Sequence, residues 1–468
     1  MRGKRILALS LGPIFKNHVH GGSQKIFKEV MAYIGNQGHN VTVLCTRRDD
    51  NNESYHLSKN VIVHPILRFK QTFPQSYFTA PYYLEKIVSI IEKEKKENDV
   101  LYVHDSGFNF PFLYNKMPTA TSLRDFYYPE TLIGAFNFDR DEIIVNSKFT
   151  CECYKQIITG IRPGLSNKVS YVPNGIDLSH FIKRNSTTRI SKIIKLNSGD
   201  IPILYPHRPE SSKGIYEVLK VMALLKGKGI NKLKLLIPKY IDLNISNEHL
   251  PTYKKIKLEA KKLDLIDNIQ FHPWIPYDLM PEYYTLGRLT FSIGNFVESF
   301  PNVSLESIAC GTPSISARVA AHRTVLPDSI EPKIDYGDSI EAAKLAYYIL
   351  TNNTQSKNIL EGRRYINENY KYNYMLKKYA EIITNCKLRK PTKIQINSNE
   401  TTHITLPPWT YLSSKYGLYN DYKQSYINDT ELISIITNSG AIKITPQNES
   451  IFKYHIEEGN LIGTKTNK

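Results

Sequence analysis

Cysteine is scarce in this sequence. Five occur in 468 residues, Cys45, Cys151, Cys153, Cys310 and Cys386. They are too few and too irregularly spaced for a disulfide framework, so a reducing, cytoplasmic setting is expected. Only Cys151 and Cys153 lie close together, and without a second pair nearby they do not make a zinc site. Long apolar runs are missing as well: no segment reaches the ~18 residues that a spanning helix needs. The opening MRGKRILALSLGPIF leads into KNHVHGG without a small-residue cleavage site, and it reads as a first buried strand rather than a leader. Acidic residues are outnumbered, 44 Asp and Glu against 61 Lys and Arg, for a net charge of +17. That balance favours anionic partners such as nucleotides or the inner face of an anionic membrane. The excess does not sit in a basic tail, because residues 396–468 hold six lysines against seven acidic residues.

What is present is the composition of a folded protein: 41% hydrophobic, 22% charged and 11% aromatic. At about 150 residues per domain, the length predicts two or three units. The first stretch alternates short apolar runs with amphipathic ones, KRILALSL, SQKIFKEVMAYIGNQG and NVTVLCT, which is βαβ grammar. Further strands are expected at 60–64, 99–104, 119–123 and 141–146. After a polar stretch at 183–189 the grammar repeats, with strands expected at 201–205, 233–237, 269–271, 289–293 and 312–316. Two Rossmann-like domains facing a cleft are therefore expected, at 1–182 and 195–385, with a linker near 178–200. Residues 396–468 read as a separate small Tyr-rich module, a docking element for a protein partner or a second copy. In it Tyr416, Tyr419, Tyr422 and Tyr426 recur at three- and four-residue spacing, which predicts one helix face.

The densest chemistry lies in Glu298-Ser-Phe-Pro-Asn-Val-Ser-Leu-Glu306, followed by Gly311-Thr-Pro313. If a helix begins near Asn302, Glu298 stands on the loop before it and Glu306 one turn inside, beside unpaired helix-start amides. Those amides, with Phe300, Pro301, Asn302 and Val303, suit a diphosphate. Hydroxyl pairs want bidentate acceptors, which makes Glu298 the candidate for a donor sugar and Glu306 for a ribose. The stretch resembles the signature of the retaining glycosyltransferases of family four, which have the GT-B fold. Other segments agree in order: Gly21-Gly22 before the first helix, Gly38-His39-Asn40-Val41, Val172-Pro-Asn-Gly-Ile-Asp177, and Arg208 with Lys213-Gly214.

The resemblance implies a role for each of these positions. Gly21 and Gly22 would let a ligand approach the backbone closely. Arg208 and Lys213 would neutralise the departing diphosphate. His104, at a strand end, matches the family's active-site histidine, with Asp105 and Asp125 on the acceptor side. Arg124 stands where relatives often carry histidine. The Gly-Gly turn that usually follows the acidic signature is replaced by Ala317-Arg-Val-Ala-Ala-His-Arg323-Thr-Val-Leu-Pro-Asp328, and Pro238-Lys239 stands where a glycine-containing nucleotide loop is usual. His207, Trp274 and Pro276 are candidates for shaping the base pocket. Asp139-Arg-Asp141 fits an Asp-x-Asp metal motif only superficially, because Asp141 reads as the polar residue ahead of a buried strand.

The expected activity is transfer of a hexose-type sugar from a nucleoside diphosphate sugar to an acceptor hydroxyl on a saccharide, glycolipid or other glycoconjugate. No cofactor and no metal are expected, the nucleotide sugar being a co-substrate. The alternatives are a GT-B epimerase or hydrolase of nucleotide sugars, or a degenerate nucleotide-sugar-binding protein. The lysine-rich segment 253–262 reads as a solvated helix face, so no nucleic-acid partner is expected.

Overall fold

The computed structural model describes residues 3–19, 21–70, 78–108, 110–239, 243–352, 355–395, 403–437 and 442–464. Its first sheet comprises β1 (Arg5–Ser10), β2 (Asn40–Thr46), β3 (Tyr55–Ser58), β4 (Val61–Leu67), β5 (Val100–Val103), β6 (Thr119–Leu123), β7 (Glu142–Val145) and β8 (Val169–Tyr171). Among the described residues their spatial order is β3-β4-β2-β1-β5-β6-β7-β8, with β3 antiparallel to β4 and the other pairs parallel. Central strands of a parallel sheet are covered on both faces, which is why they read as unbroken apolar runs. Ile6, Leu7, Ala8 and Leu9 accordingly have no exposed surface. The helices of this unit are α1 (Gly22–Asn36), α2 (Pro81–Lys95), α3 (Pro129–Asn137) and α4 (Lys148–Tyr154). On α1 the buried residues Ile26, Phe27, Val30, Met31 and Ile34 form a single stripe against the sheet.

The second sheet holds β9 (Ile201–Leu204), β10 (Leu233–Pro238), β11 (Ile269–His272), β12 (Leu289–Ser292), β13 (Ser314–Ala317) and β14 (Lys333–Ile334). It is parallel, in the order β11-β10-β9-β12-β13-β14. Its helices are α5 (Ile215–Gly227), α6 (Leu243–Lys262), α7 (Met280–Leu286), α8 (Asn302–Ala309), α9 (His322–Val325), α10 (Ser339–Thr351), α11 (Gln355–Asn369) and α12 (Tyr372–Asn385). In each sheet the first strand lies inside, and successive connections wind away from it in both directions. That reversal opens a crevice at the carboxyl ends of the strands.

The last helix crosses back. Met375, Leu376, Tyr379, Ala380 and Ile383 of α12 share a core with Val41, Val100 and Tyr102 of the first unit. The two crossings between the units are neighbours, for Ile176 pairs with Lys371. The chain then runs along the first unit, with the Arg389 amide donating to Asp141 Oδ1 (2.6 Å) and the Thr392 amide to the Asp139 carbonyl (2.8 Å). Asp141 Oδ2 accepts the Thr119 amide (2.9 Å). Both oxygens of Asp141 thus bind backbone, as befits a buried strand-end carboxylate.

The tail contains β15 (His403–Thr405), β16 (Thr410–Ser413), β17 (Gly417–Asn420), β18 (Ser425–Ile427), α13 (Thr430–Thr437), β19 (Ile442–Lys443), α14 (Glu449–Glu457) and β20 (Ile462–Thr464). Two antiparallel sheets result, β19-β15-β20 and β16-β17-β18. Residues 396–402 lie outside the described ones. The tyrosines expected on one helix face are instead on and around a β-hairpin. Tyr419 of β17 lies directly opposite Tyr426 of β18, with ring centroids 5.0 Å apart, and Tyr416 packs on Tyr426 at 5.4 Å. Left-handed backbone at Gly417 (φ 91°) and Gln424 (φ 54°) is incompatible with a continuous helix. The tail has a small core of Ile404, Leu418, Leu432, Ile436, Phe452 and Leu461. Its Trp409 and Tyr419 also join the large core that contains Phe126, Phe149 and residues 319–321 of the other two units.

Candidate active site

Two helix starts meet in the crevice. Gly22 opens α1, and a Cβ there would stand 3.2 Å from Asn302 Nδ2 at the start of α8. Asn302 Oδ1 accepts from Asn174 Nδ2 (3.2 Å), and Asn174 Oδ1 accepts from the Arg124 guanidinium (2.5 Å), which also donates to Tyr379 Oη (2.9 Å). Asn146 Nδ2 donates to Ser299 Oγ (3.1 Å), and Ser299 donates to the Arg124 carbonyl. Arg124 therefore anchors the contact between the two units, a role its side chain fills through Tyr379 and Asn174.

On the second unit, Lys213 ends the turn Ser211–Lys213 and precedes Gly214, whose φ is 87°. A side chain at Gly214 would come within 2.6 Å of the Gly294 amide, so glycine is demanded by both torsion and space. Lys213 Nζ donates to Glu298 Oε2 (2.7 Å) and lies 3.5 Å from the Phe296 ring centroid. Burial pushes the Glu298 carboxyl up, but the Lys213 ammonium outweighs it and the pKa falls below the ordinary value. Arg208 Nε is 3.3 Å from Glu210 Oε1, and the Arg208 side chain is hydrogen-bonded to Tyr128 of the first unit. His207 bonds through Nε2 to the Phe291 carbonyl (3.1 Å) and Ser292 Oγ (3.0 Å). Burial, with Lys213 beside it, pushes the His207 pKa down to about 3, so the ring is neutral. Glu306, one turn into α8, accepts from Tyr284 Oη (3.0 Å), and burial raises its pKa despite the opposing charge of Lys25. Glu298 and Glu306 thus stand at the loop and first turn of one helix, as the spacing predicts. Trp274 is half-buried and Pro276 exposed in the segment after β11.

On the first unit, His104 and Asp105 follow β5, and Ser23 of α1 joins them. Ser23 Oγ donates to Asp105 Oδ2 (2.6 Å) and lies 2.8 Å from His104 Nε2, while Ser122 Oγ lies 3.3 Å from Nδ1. With Nε2–H donating to Ser23, Nδ1 is left as an acceptor for the hydroxyls beside it, Tyr102 Oη at 3.1 Å and Ser122 Oγ at 3.3 Å. Burial, reinforced by Arg124, holds the His104 pKa well below its usual value. Asp105 has left-handed backbone (φ 59°), and burial pushes its carboxyl up to about 6. Asp125 Oδ1 accepts the amides of Tyr127 and Tyr128 (both 2.9 Å), and Oδ2 accepts Thr131 Oγ1 (3.0 Å), which shapes the turn into α3. Burial and Asp105 push the Asp125 carboxyl up to about 6 as well.

Sequence reading did not single out Ser23, Tyr284, Phe296 or His322. His322 is buried within electrostatic reach of Glu298 and Lys213, on the segment that replaces the expected Gly-Gly turn. It stands in the stretch 317–328, where the resemblance implies a Gly-Gly turn, and that is the one sequence signal that pointed to it.

Comparison with known proteins points to one family and one fold. Residues 186–362 match the model of "Glycosyl transferases group 1", and residues 20–180 match that of "Glycosyltransferase Family 4". A D-inositol 3-phosphate glycosyltransferase from Nocardiopsis dassonvillei is 25% identical over 171 residues, 36% of this chain and 38% of that protein. Alignments to the curated relatives span between 16% and 38% of their length. Among solved structures, sucrose-phosphate synthase from Thermosynechococcus elongatus superposes with a TM-score of 0.65 at 16% identity, covering 81% of this chain and 98% of that one. Anabaena Alr3699/HepE, in complex with UDP and glucose, superposes with a TM-score of 0.61 at 15% identity, covering 81% and 99%. The two facing Rossmann-like sheets, the paired glutamates at α8 and the two family matches along the chain make it a member of the family-four glycosyltransferases, with the GT-B fold.

Proposed function

We propose that this chain is a retaining glycosyltransferase that moves a hexose-type sugar from a nucleoside diphosphate sugar to an acceptor hydroxyl, without a metal. The observation that carries the reading is the Lys213–Glu298 pair at 2.7 Å beside the start of α8, with Glu306 one turn further on. In this reading Glu306 takes the ribose diol and Glu298 the sugar hydroxyls. Arg208 and Lys213 neutralise the charge that grows on the diphosphate as the bond to the sugar's anomeric carbon breaks. The acceptor oxygen bonds to the same face of that carbon, and its proton passes to the leaving phosphate oxygen. No protein acid and base pair is then required. Contacts between the units at Asn174–Asn302 and Asn146–Ser299 support closure around the donor, which excludes water. One solved neighbour is in complex with UDP and glucose, which supports uracil as the first base to try.

The test is thermal unfolding with UDP, GDP, ADP, dTDP and CMP at matched millimolar concentration. A nucleotide at ~100 times its dissociation constant adds about 2.7 kcal/mol to the folded state. A selective shift by one nucleotide is expected, and no shift by any of them would contradict the reading.

A further inference from the structure

The tail reaches the rim of the crevice through the turn at 420–424, between β17 and β18. Asp421 on that turn has no exposed surface. Its Oδ1 accepts the Ala320 amide (3.0 Å) and Arg323 Nη1 (2.9 Å), and its Oδ2 accepts Arg323 Nη2 (2.6 Å). Arg323 Nη2 also donates to the Pro408 carbonyl (2.8 Å). Burying a carboxylate and a guanidinium costs several kcal/mol before their attraction is counted, and apolar side chains of similar volume hold a surface together at least as well. What a forked pair adds is direction: two parallel hydrogen bonds fix the angle as well as the distance of the segment they grip.

The segment gripped is 319–323, and it touches the donor site. Ala320 holds φ at 46°, a left-handed conformation that costs a residue with a Cβ roughly 1–2 kcal/mol. Its amide is the one that Asp421 accepts. The next amide, of Ala321, donates to the Glu298 carbonyl oxygen (3.1 Å). Next again is His322, buried toward Glu298 and Lys213. A continuous path of short contacts therefore runs from the tail carboxylate through a strained peptide to the backbone of Glu298.

We propose that Asp421 is a positioning residue for the donor sugar: by gripping the Ala320 amide and Arg323 it sets the 319–323 segment against Glu298, so that the Glu298 carboxylate meets the sugar in one orientation. The inference rests on the reading of Glu298 as the donor-sugar contact. It gives the tail a part in the donor site.

The experiment compares the full chain with its Asp421→Ala and Asp421→Asn variants. The probes are the nucleoside diphosphate that the wild type binds among UDP, GDP, ADP and dTDP, and its glucose, galactose, mannose and N-acetylglucosamine esters. Nucleotide affinity is read by calorimetry. Turnover is read as nucleotide released from the ester the wild type cleaves fastest, with water as acceptor. Asp421→Ala is expected to keep nucleotide affinity within about twofold and to lose about 10²-fold in kcat, the scale of an ångström-sized misplacement. Asp421→Asn retains an oxygen for the Ala320 amide, so about tenfold of that loss should return. Lys415→Met, which breaks the tail's contact with Asp338 (2.8 Å) away from the crevice, should leave kcat unchanged. Wild-type kcat in Asp421→Ala, or an equal loss in Lys415→Met, would overturn the inference. If Asp421→Ala does not fold, Asp421→Asn decides: intact nucleotide affinity with kcat lowered about tenfold supports the inference, and unchanged kcat overturns it. A wild type that binds none of the nucleotides, or cleaves none of the esters, removes the donor-site reading first and the inference with it.

Discussion

Lys213 Nζ stands 2.7 Å from Glu298 Oε2, although 85 positions separate them in the chain. One belongs to the turn before α5 and the other to the loop before α8, so the pair exists only because β9 and β12 are neighbours in the sheet. Removing either partner leaves a half-enclosed charge without its counter-ion. Lys213→Ala should lower kcat by about 10²–10³, the scale of losing one preorganised group aimed at developing charge, and should weaken nucleotide affinity too. Glu298→Gln should lower kcat while sparing nucleotide affinity. Initial-rate kinetics with calorimetry separates the two patterns, and unchanged turnover in both variants would contradict the site.

Ser23 joins His104 to Asp105 with a single hydroxyl. Ser23→Ala strips the partner from a buried ring nitrogen and from a mostly buried carboxylate oxygen, which should destabilise the fold by about 1–3 kcal/mol. Urea unfolding measures this, and wild-type stability would show that the bridge contributes nothing.

The pH dependence of stability carries a sign that can be checked. Burial pushes Asp105 up to about 6 in the folded chain, whereas an unfolded aspartate titrates near about 3.9. Between those values the folded chain keeps a proton that the unfolded chain has lost, so this group's contribution falls as pH rises from about 4 to about 6. In Asp105→Asn that decline should be smaller than in the wild type, read by urea unfolding at several pH values and fixed ionic strength. Identical slopes would contradict the buried, proton-holding environment described for Asp105.

Truncation after residue 395 should not leave an undisturbed enzyme. Trp409 and Tyr419 would leave the large shared core, and Arg323, with a side chain 13% exposed, would lose its carboxylate. The truncated chain should melt several degrees below the full one by calorimetry. An unchanged melting temperature would mean that the tail folds and docks independently of the other units.

Much of the architecture was legible because a parallel sheet buries its strands on both faces. The runs at 40–46 and 119–123 became β2 and β6 for that reason. The start of α8 at Asn302 was legible from the spacing of Glu298 and Glu306 around Pro301. The tyrosine spacing misled because a hairpin with a short turn also brings residues seven apart together, as Tyr419 and Tyr426 are. The left-handed torsions at Gly417 and Gln424 and the antiparallel pairing of β17 with β18 separate the two readings. Contacts made by fold topology left no local trace. Ser23 meets His104 across 81 positions and Asp421 meets Arg323 across 98, and neither pair has a spacing or a motif to betray it.

The central claim is transfer with retention of configuration at the anomeric carbon. Proton magnetic resonance of the sugar first released from an α-linked nucleotide sugar, with water as acceptor, tests it most directly. Retention predicts that the α-anomer appears first and that the β-anomer grows in only by mutarotation. Initial release of the β-anomer, or no release from any nucleotide sugar whose nucleotide the chain binds, would contradict the account.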